Sequence, residues 1–192
     1  MRLFTGIALP PHVLDNLARV LKELRPLAPL KWSPVENLHI TSKFIGEWPA
    51  ARLKELRNAL ENFTSTGGFE VTIAGFGFFP NPHNPKTLFA AVQAGAQAGP
   101  ELAELAARID HILQPLGIAH EQRPYSPHLT LARIKNENTR GLREHIAHMT
   151  NFDFGTFQVS EFHLYLSKTG PTGSIYKQLE TYSLPTVAST RA

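Results

Sequence analysis

Hydrophobic residues recur at steps of three and four in four segments of the chain, and this spacing is typical of amphipathic helices. In the first segment the apolar positions include Val13, Leu17, Leu21 and Leu24, and a proline at position 26 follows the run. The four predicted helices cover residues 12–24, 49–63, 100–116 and 138–149. Because each has one apolar face, we expect each helix to pack on the outside of a sheet.

Shorter apolar runs, bounded by proline, glycine and asparagine, predict strands. Two of these runs are joined by a turn at 80–85 that is rich in proline and asparagine, and they form a predicted hairpin. The predicted strands cover residues 3–9, 38–45, 69–79, 86–93, 128–134, 156–166 and 174–183. Short strands with antiparallel pairing, interspersed with helices, favour an α+β fold over a doubly wound parallel sheet.

Length and composition fit a single domain. The chain has 192 residues, of which 42% are hydrophobic, and this is apolar enough to build a core and to exclude global disorder. No long linker interrupts the pattern, so we expect one domain over residues 1–185, followed by a loose tail over 186–192. No apolar run approaches the length of a membrane span, and we expect a cytoplasmic monomer.

Cysteine is absent, and the formal charge is only +3 at pH 7. The first fact excludes disulfides, thiol nucleophiles and zinc sites built on thiolates. The second permits a phosphate-bearing partner without requiring one. Histidine is the unusual component, with nine residues, and imidazole is the side chain that titrates near neutral pH.

Two of the nine histidines lie in an internal repeat. His39 begins the run His-Ile-Thr-Ser-Lys-Phe-Ile, and His128 begins the run His-Leu-Thr-Leu-Ala-Arg-Ile, about half the chain length later. Both runs lie on predicted strands, where side chains alternate between the two faces. Each histidine therefore shares a polar face with its threonine, Thr41 or Thr130. The repeat suggests two related lobes whose polar faces meet across a cleft.

Two histidines on either side of one reacting atom can divide proton transfer between them, one as acid and one as base. The threonine hydroxyls can donate hydrogen bonds to phosphate oxygens. A cation follows each threonine, Lys43 in the first copy and Arg133 in the second, and we expect both to lie on the polar face and to neutralise phosphoryl charge. A single His-x-Thr is weak, because both residues are common in strands, and the paired occurrence is what points to function.

The other histidines lack a comparable companion motif. Glu144, His145 and His148 have helical spacing but no further ligand at a fixed distance, so a solvated helix face is the simpler interpretation. His163 lies in a predicted strand, where we favour a structural role. Four aromatic residues are candidates for stacking on nucleic-acid bases, although core packing is the commoner role of each. These are Phe4, Trp32, Phe44 and Tyr125.

The two motif blocks resemble those of the two-histidine (2H) phosphoesterase superfamily, and the nearer similarity is to its RNA 2′,3′-cyclic phosphodiesterase branch, also called the 2′-5′ RNA ligases. The resemblance extends over nearly the whole chain, from the opening Arg2-Leu3-Phe4 to a closing segment. That segment has Ser167 ahead of Gly173 and Tyr176. The resemblance implies a bilobal fold of two sheets rich in antiparallel pairing, with helices outside and a pseudo-twofold duplication around a central groove.

The resemblance also implies a reaction and its residues. The reaction is the hydrolysis of RNA 2′,3′-cyclic phosphate ends to 2′-phosphates without metal or cofactor, reversible as 2′-5′ ligation. The resemblance makes His39 the proton donor and His128 the proton acceptor, an assignment that the spacing alone leaves open. Thr41 and Thr130 complete the catalytic set. The substrate-binding candidates are Lys43, Arg133, Phe4, Phe44, Tyr125, Ser167 and Tyr176.

Two alternatives remain open. The same chemistry would serve a small cyclic phosphodiester derived from a nucleotide, and a chain of this fold would also serve as a non-catalytic RNA-binding module. The partner in the first prediction is an RNA 3′ terminus that carries a cyclic phosphate. Two intact His-x-Thr motifs favour an enzyme over a binding module, because loss of activity would be expected to degrade at least one of them.

Overall fold

A computed structural model describes residues 1–63, 67–93, 98–149, 152–170 and 173–184. It contains nine strands in chain order: β1 (Arg2–Ala8), β2 (Lys31–Trp32), β3 (His39–Glu47), β4 (Phe69–Phe79), β5 (Thr87–Gln93), β6 (His128–Arg133), β7 (Asp153–Val159), β8 (Glu161–Gly170) and β9 (Gly173–Ser183). Its α-helices are α1 (Pro11–Leu24), α2 (Leu53–Glu61), α3 (Ala98–Leu113) and α4 (Arg140–His148). The tail predicted over 186–192 lies outside the described residues.

The strands form two sheets, and the strand pairs within them are antiparallel. One sheet has the order β3-β1-β8-β9, and the other has the order β2-β6-β5-β4-β7. Each sheet holds one motif strand beside an apolar neighbour, β3 beside β1 and β6 beside β5. This arrangement confirms the predicted α+β class and its division into two related lobes.

The helices join the two lobes into one core. Helix α1 begins after Pro10, which cannot continue the β1 ladder, and it buries Val13, Leu17 and Leu24 completely. It follows a strand of the first sheet but packs against β7 of the second sheet. Helix α3 follows β5 of the second sheet and packs against β3 of the first. Each lobe therefore supplies the helix that covers part of the other lobe's sheet.

Two predicted elements differ from the structure. The strand predicted over 156–166 is two strands, because the chain crosses from the second sheet to the first at Ser160, between β7 and β8. Both halves alternate apolar and polar residues, and such alternation does not encode which sheet a strand joins. The helix predicted over 49–63 is a short 3-10 turn followed by α2, which ends at Glu61. Among the described helices none is long and apolar enough to cross a membrane.

Candidate active site

A groove of about 370 Å³ lies between the two sheets, and both repeats contribute to its wall. From β3 it receives His39 and Thr41, and from β6 it receives His128 and Thr130. The aliphatic residue between each histidine and its threonine is fully buried on the other face. The structure therefore brings together the four side chains of the two His-x-Thr motifs, as strand alternation predicts.

Both motif strands carry the same irregularity just after the threonine. In β3, Gly6 pairs with Thr41 but Thr5 pairs with Lys43, so the strand contains one extra residue at this point. In β6, the pairing shifts in the same way between Thr130 and Ala132. The bulge turns the third residue after each threonine toward the groove.

The bulge corrects the expectation for Lys43. Lys43 follows its threonine by two positions, whereas Arg133 follows its threonine by three. Because β3 and β6 have the same bulge, the two cations lie on opposite faces of their strands. The structure places Arg133 in the groove, where Phe44 is its counterpart from β3. Lys43 lies away from the groove with only 7% of its side chain exposed, and its ammonium is paired with the carboxylate of Asp110. The prediction that Lys43 lies on the groove face was wrong.

Each motif histidine is oriented by a backbone carbonyl two residues earlier. The Nδ1 atom of His39 lies 2.7 Å from the oxygen of Asn37, and Nδ1 of His128 lies 2.7 Å from the oxygen of Ser126. A carbonyl oxygen only accepts, so Nδ1 is the protonated donor in both rings. In both rings, Nε2 is therefore the atom that takes up or releases a proton. Nε2 of His39 also lies 3.0 Å from the hydroxyl of Thr41.

Aromatic rings hold His39 in place. The ring of Phe4 stacks on the imidazole at 4.7 Å, and Tyr176 meets the imidazole edge-on at 5.1 Å. Tyr165 also stacks on Phe4, with ring centroids 5.0 Å apart, and only 3% of Phe4 is exposed. Because Phe4 is almost completely buried, it cannot stack on a base, and this expectation was wrong. Phe4 supports His39 instead.

His128 has a more open environment. The rings of Phe79 and Phe89 meet its imidazole at steep angles, with centroids 4.9 and 5.5 Å away. The contacts cover its sides without enclosing it, and His128 is half-buried. The two histidines are thus related by the repeat but differ in their surroundings.

The pKa values of both histidines are lowered from the ordinary value of 6.5. Burial is the largest cause in each case, because it disfavours the charged imidazolium. The carbonyls of Asn37 and Ser126 oppose this effect by accepting from Nδ1–H, which favours the charged ring. Positive charge acts in the same direction as burial, from His128 on the pKa of His39 and from Arg133 on the pKa of His128.

The structure places some of the remaining candidate residues in the groove and one of them outside it. Phe44 lies in the groove with 65% of its surface exposed, so its ring is free to stack on a base. Ser167 and Tyr176 are register partners on β8 and β9, and both line the groove. Tyr125 lies outside the groove, and its hydroxyl donates to the backbone oxygen of Thr41 at 2.9 Å. Burial raises the pKa of Tyr125, which keeps it a neutral donor.

Two further cations of the groove were not among the predicted substrate-binding residues. Arg2 begins β1 and Lys31 begins β2, and both are exposed along the groove wall. Strand β2 is two residues long and pairs with β6 through Lys31 and Arg133. A strand this short leaves no periodicity to detect, so the position of Lys31 in the groove becomes evident only once the sheets are assembled.

A second cavity of about 690 Å³ adjoins the groove, and we call it the chamber. The two cavities share Thr41, Phe44, His128 and Arg133 as lining residues. The rest of the chamber is built by Phe79 at the end of β4, the start of β5, one face of α3 and the segment before β6. The groove and the chamber therefore meet at the motif side chains.

Comparison with known proteins agrees with the repeat. The family model described as LigT-like phosphoesterase matches the chain twice, over residues 7–89 and 94–176. A protein of Methanocaldococcus jannaschii named RNA 2′,3′-cyclic phosphodiesterase is 32% identical, covering 95% of this chain and 100% of that protein. One of the same name from Methanothermobacter thermautotrophicus is 31% identical, covering 96% and 99%. A crystal structure of a Thermus thermophilus protein superposes with a TM-score of 0.80 at 29% identity, covering 97% and 100%.

Proposed function

The chain belongs to the LigT-like phosphoesterase family, and we propose that it hydrolyses the 2′,3′-cyclic phosphate at the 3′ end of RNA to a 2′-phosphate. The observation that carries the proposal is the pair of imidazoles that line one groove. Each exchanges protons through Nε2 because its Nδ1 is bound to a carbonyl. The relatives named RNA 2′,3′-cyclic phosphodiesterase support the substrate.

In the proposed reaction, water attacks phosphorus while the bond from phosphorus to O3′ breaks. His128 accepts the proton of the attacking water at Nε2, and His39 donates a proton from Nε2 to the departing O3′. The 2′-phosphate remains on the RNA. Each turnover leaves His128 charged and His39 neutral, and exchange with solvent restores both. The two histidines supply the acid and the base, so this scheme assigns no step to a metal or cofactor.

The other groove residues bind the phosphate and the RNA. The hydroxyls of Thr41 and Thr130 donate to the non-bridging oxygens, and Arg133 neutralises the charge that develops on them. Phe44 offers an exposed face to a base. Ser167 and Tyr176 lie on the His39 side of the groove and bind the terminal sugar.

The direct test is turnover of an oligonucleotide that ends in a 2′,3′-cyclic phosphate, in excess EDTA. We expect conversion to the 2′-phosphate at the same rate with and without the chelator. A cyclic mononucleotide under the same conditions shows whether RNA is the preferred substrate, and we expect the lower kcat/KM with the mononucleotide. Absence of turnover would refute the proposal, and a 3′-phosphate product would refute the assignment of O3′ as the leaving group.

The dependence of kcat/KM on pH follows from the lowered pKa values. One histidine must be neutral and the other charged, so the profile is bell-shaped and its two limbs belong to the pair. Because the pKa values of His39 and His128 are both lowered, we expect the maximum to lie below pH 6.5, the ordinary imidazole pKa. Measurement of kcat/KM at a series of pH values gives the position of the maximum.

A variant extends this prediction. The charge of Arg133 lowers the pKa of His128, so Arg133→Gln should raise that pKa and move the profile toward higher pH. Arg133→Gln should also lower kcat/KM, but a lower kcat/KM changes the height of the profile and not its position on the pH axis. A maximum at or above neutral pH in the wild type, or an unmoved profile in Arg133→Gln, would contradict these electrostatics.

A further inference from the structure

The groove carries more positive charge than the reacting phosphate uses. Three cationic side chains line it beside the two histidines, namely Arg2, Lys31 and Arg133. Among the described residues that line the groove there is no aspartate or glutamate. A phosphodiester has a single negative charge, and in the proposed reaction Arg133 and the protonated His39 already meet it. Arg2 and Lys31 therefore remain for a second anionic group.

Both of these cations are unpaired within the described part of the chain. Arg2 and Lys31 are exposed, and neither side chain donates to another described residue. Glu47 is the register partner of Arg2 on β3, but it does not line the groove, and its carboxylate lies 3.4 Å from the amino group of Met1. Because neither cation is held by a carboxylate, each can bind a phosphate oxygen without first losing an ion pair.

Arg2 lies beside the place proposed for the terminal sugar. It is the register partner of Ser167, which lines the same groove from β8. Along β1 it comes two residues before Phe4, the ring that supports His39, and two residues of a strand span about 7 Å. An RNA chain continues from its 3′-terminal sugar through the 5′ oxygen of that sugar. The next anionic group after the terminal sugar is thus the phosphate attached to its 5′ oxygen.

Lys31 approaches from the opposite wall of the groove. It pairs with Arg133 across β2 and β6, and neighbouring strands of a sheet are about 4.8 Å apart. Strand β2 is the edge strand of its sheet, so Lys31 lies one strand farther out than the cation that neutralises the reacting phosphate. The groove has only about 370 Å³, and the long side chains of Arg2 and Lys31 can therefore reach one anion from its two walls.

We propose that Arg2 and Lys31 form a second phosphate-binding site, which takes the internucleotide phosphate on the 5′ side of the terminal nucleotide. The inference rests on the proposed function, and it names the group by which the enzyme distinguishes an RNA end from a free cyclic nucleotide. Arg2 and Lys31 touch no reacting atom, so they determine specificity and leave the proton transfers to the histidines. A contact that is equally strong before and during the reaction lowers KM and leaves kcat unchanged.

The test compares two dinucleotides that differ in a single charge. Both end in a 2′,3′-cyclic phosphate, and both have a 2′-O-methyl group on the first ribose, which protects the linkage. One has a phosphodiester linkage and the other has a neutral methylphosphonate linkage, so the bases are identical. We expect kcat/KM to be at least about tenfold higher for the phosphodiester, with the difference in KM. Added KCl should reduce this difference, because binding of the charged linkage releases counterions.

A double variant ties the difference to the two cations. Arg2→Gln with Lys31→Gln should abolish the difference between the two linkages, because no cation is left to meet the second phosphate. Lys22→Gln with Lys54→Gln makes the same change in net charge at exposed positions of α1 and α2, outside both cavities, and should keep the difference of the wild type. Arg2→Lys with Lys31→Arg exchanges the cations and should retain most of the difference. Since both substrates are measured on one enzyme, partial misfolding of a variant cancels.

The second phosphate site and the proposed function fail on different results. If the phosphodiester dinucleotide is not hydrolysed, the proposed function fails and the second site fails with it. If it is hydrolysed with the same kcat/KM as the methylphosphonate, the second site is overturned while the hydrolysis stands, and any preference over a cyclic mononucleotide comes from base stacking. A difference that survives in Arg2→Gln with Lys31→Gln also overturns the assignment. So does an equal loss in Lys22→Gln with Lys54→Gln, which would show an effect of net charge alone.

Discussion

Replacing His39 or His128 with asparagine should slow hydrolysis of the cyclic phosphate by a factor of about 10² to 10⁴ in each case. Asparagine retains a polar side chain that can donate to the carbonyl of Asn37 or Ser126, but it cannot exchange a proton at the position of Nε2. The loss should appear in kcat, because the groove still binds the phosphate. Steady-state rates with the cyclic-ended oligonucleotide give the factor.

A substrate that needs no acid separates the two roles. In a cyclic phosphate with sulfur in place of O3′, the leaving thiolate departs without protonation. His39→Asn should therefore recover most of its lost rate on this substrate, whereas His128→Asn should stay slow because the water still needs a base. The opposite pattern of recovery would exchange the roles of the two histidines, and recovery in neither variant would contradict the division of labour.

An exposed histidine provides the matched control. His83 lies in the turn between β4 and β5 and lines neither cavity, so His83→Asn should keep the rate of the wild type. Urea unfolding of the three variants shows whether a lost rate reflects a lost fold. A near-normal rate in His39→Asn or His128→Asn with the fold intact would refute the two-histidine mechanism.

Much of the fold was predictable because it depends on local sequence patterns. The β4–β5 hairpin and the buried face of α1 each depend on residues that are close in sequence, and their periodicity is strong. The motif strands were predictable for a further reason. Because the repeat places the same polar pair on two strands, it predicts that His39 and His128 share one groove, and the structure places them in it.

The parts that were not predictable depend on long-range contacts. A bulge in β3 decides that Phe44 rather than Lys43 faces the groove, and its position follows from the pairing with β1, which lies far away in the sequence. Phe4 was expected to meet a base, but its partners Tyr165 and Tyr176 come from strands at the other end of the chain. The alternation of side chains along one strand does not show which rings from distant strands will cover a residue of that strand.

The buried pair of Lys43 and Asp110 has the largest consequence for stability. Both side chains are 7% exposed, and Lys43 also donates to the backbone oxygen of Ala119 at 2.7 Å. Replacing Lys43 with methionine keeps the volume of the stem but leaves the carboxylate without its ammonium. We expect this change to lower the free energy of unfolding by about 3–5 kcal/mol. Urea unfolding at neutral pH measures it.

A double variant and an exposed pair make the measurement specific. In Lys43→Met with Asp110→Leu no charge is left unpaired, so we expect part of the stability to return. Arg140 and Glu144 form an exposed ion pair on α4, and Arg140→Met should lower the free energy of unfolding by no more than about 1 kcal/mol. A loss in Lys43→Met as small as the loss in Arg140→Met would contradict the importance of the buried pair.

The pH dependence of unfolding provides an independent check on the same pair. Burial tends to raise the pKa of Asp110, but hydrogen bonds from Lys43, His120, Gln114 and the amide of Glu121 outweigh it and hold the pKa well below its ordinary value of 3.8. A lowered folded-state pKa contributes stability above pH 3.8 that is lost as the pH falls toward the folded-state value. The wild type should therefore lose stability in acid more steeply than the double variant. Asp110 links β3 to the segment that leads into β6. We therefore expect β3 and β6, the strands of the two motifs, to separate in the same acid-induced unfolding transition.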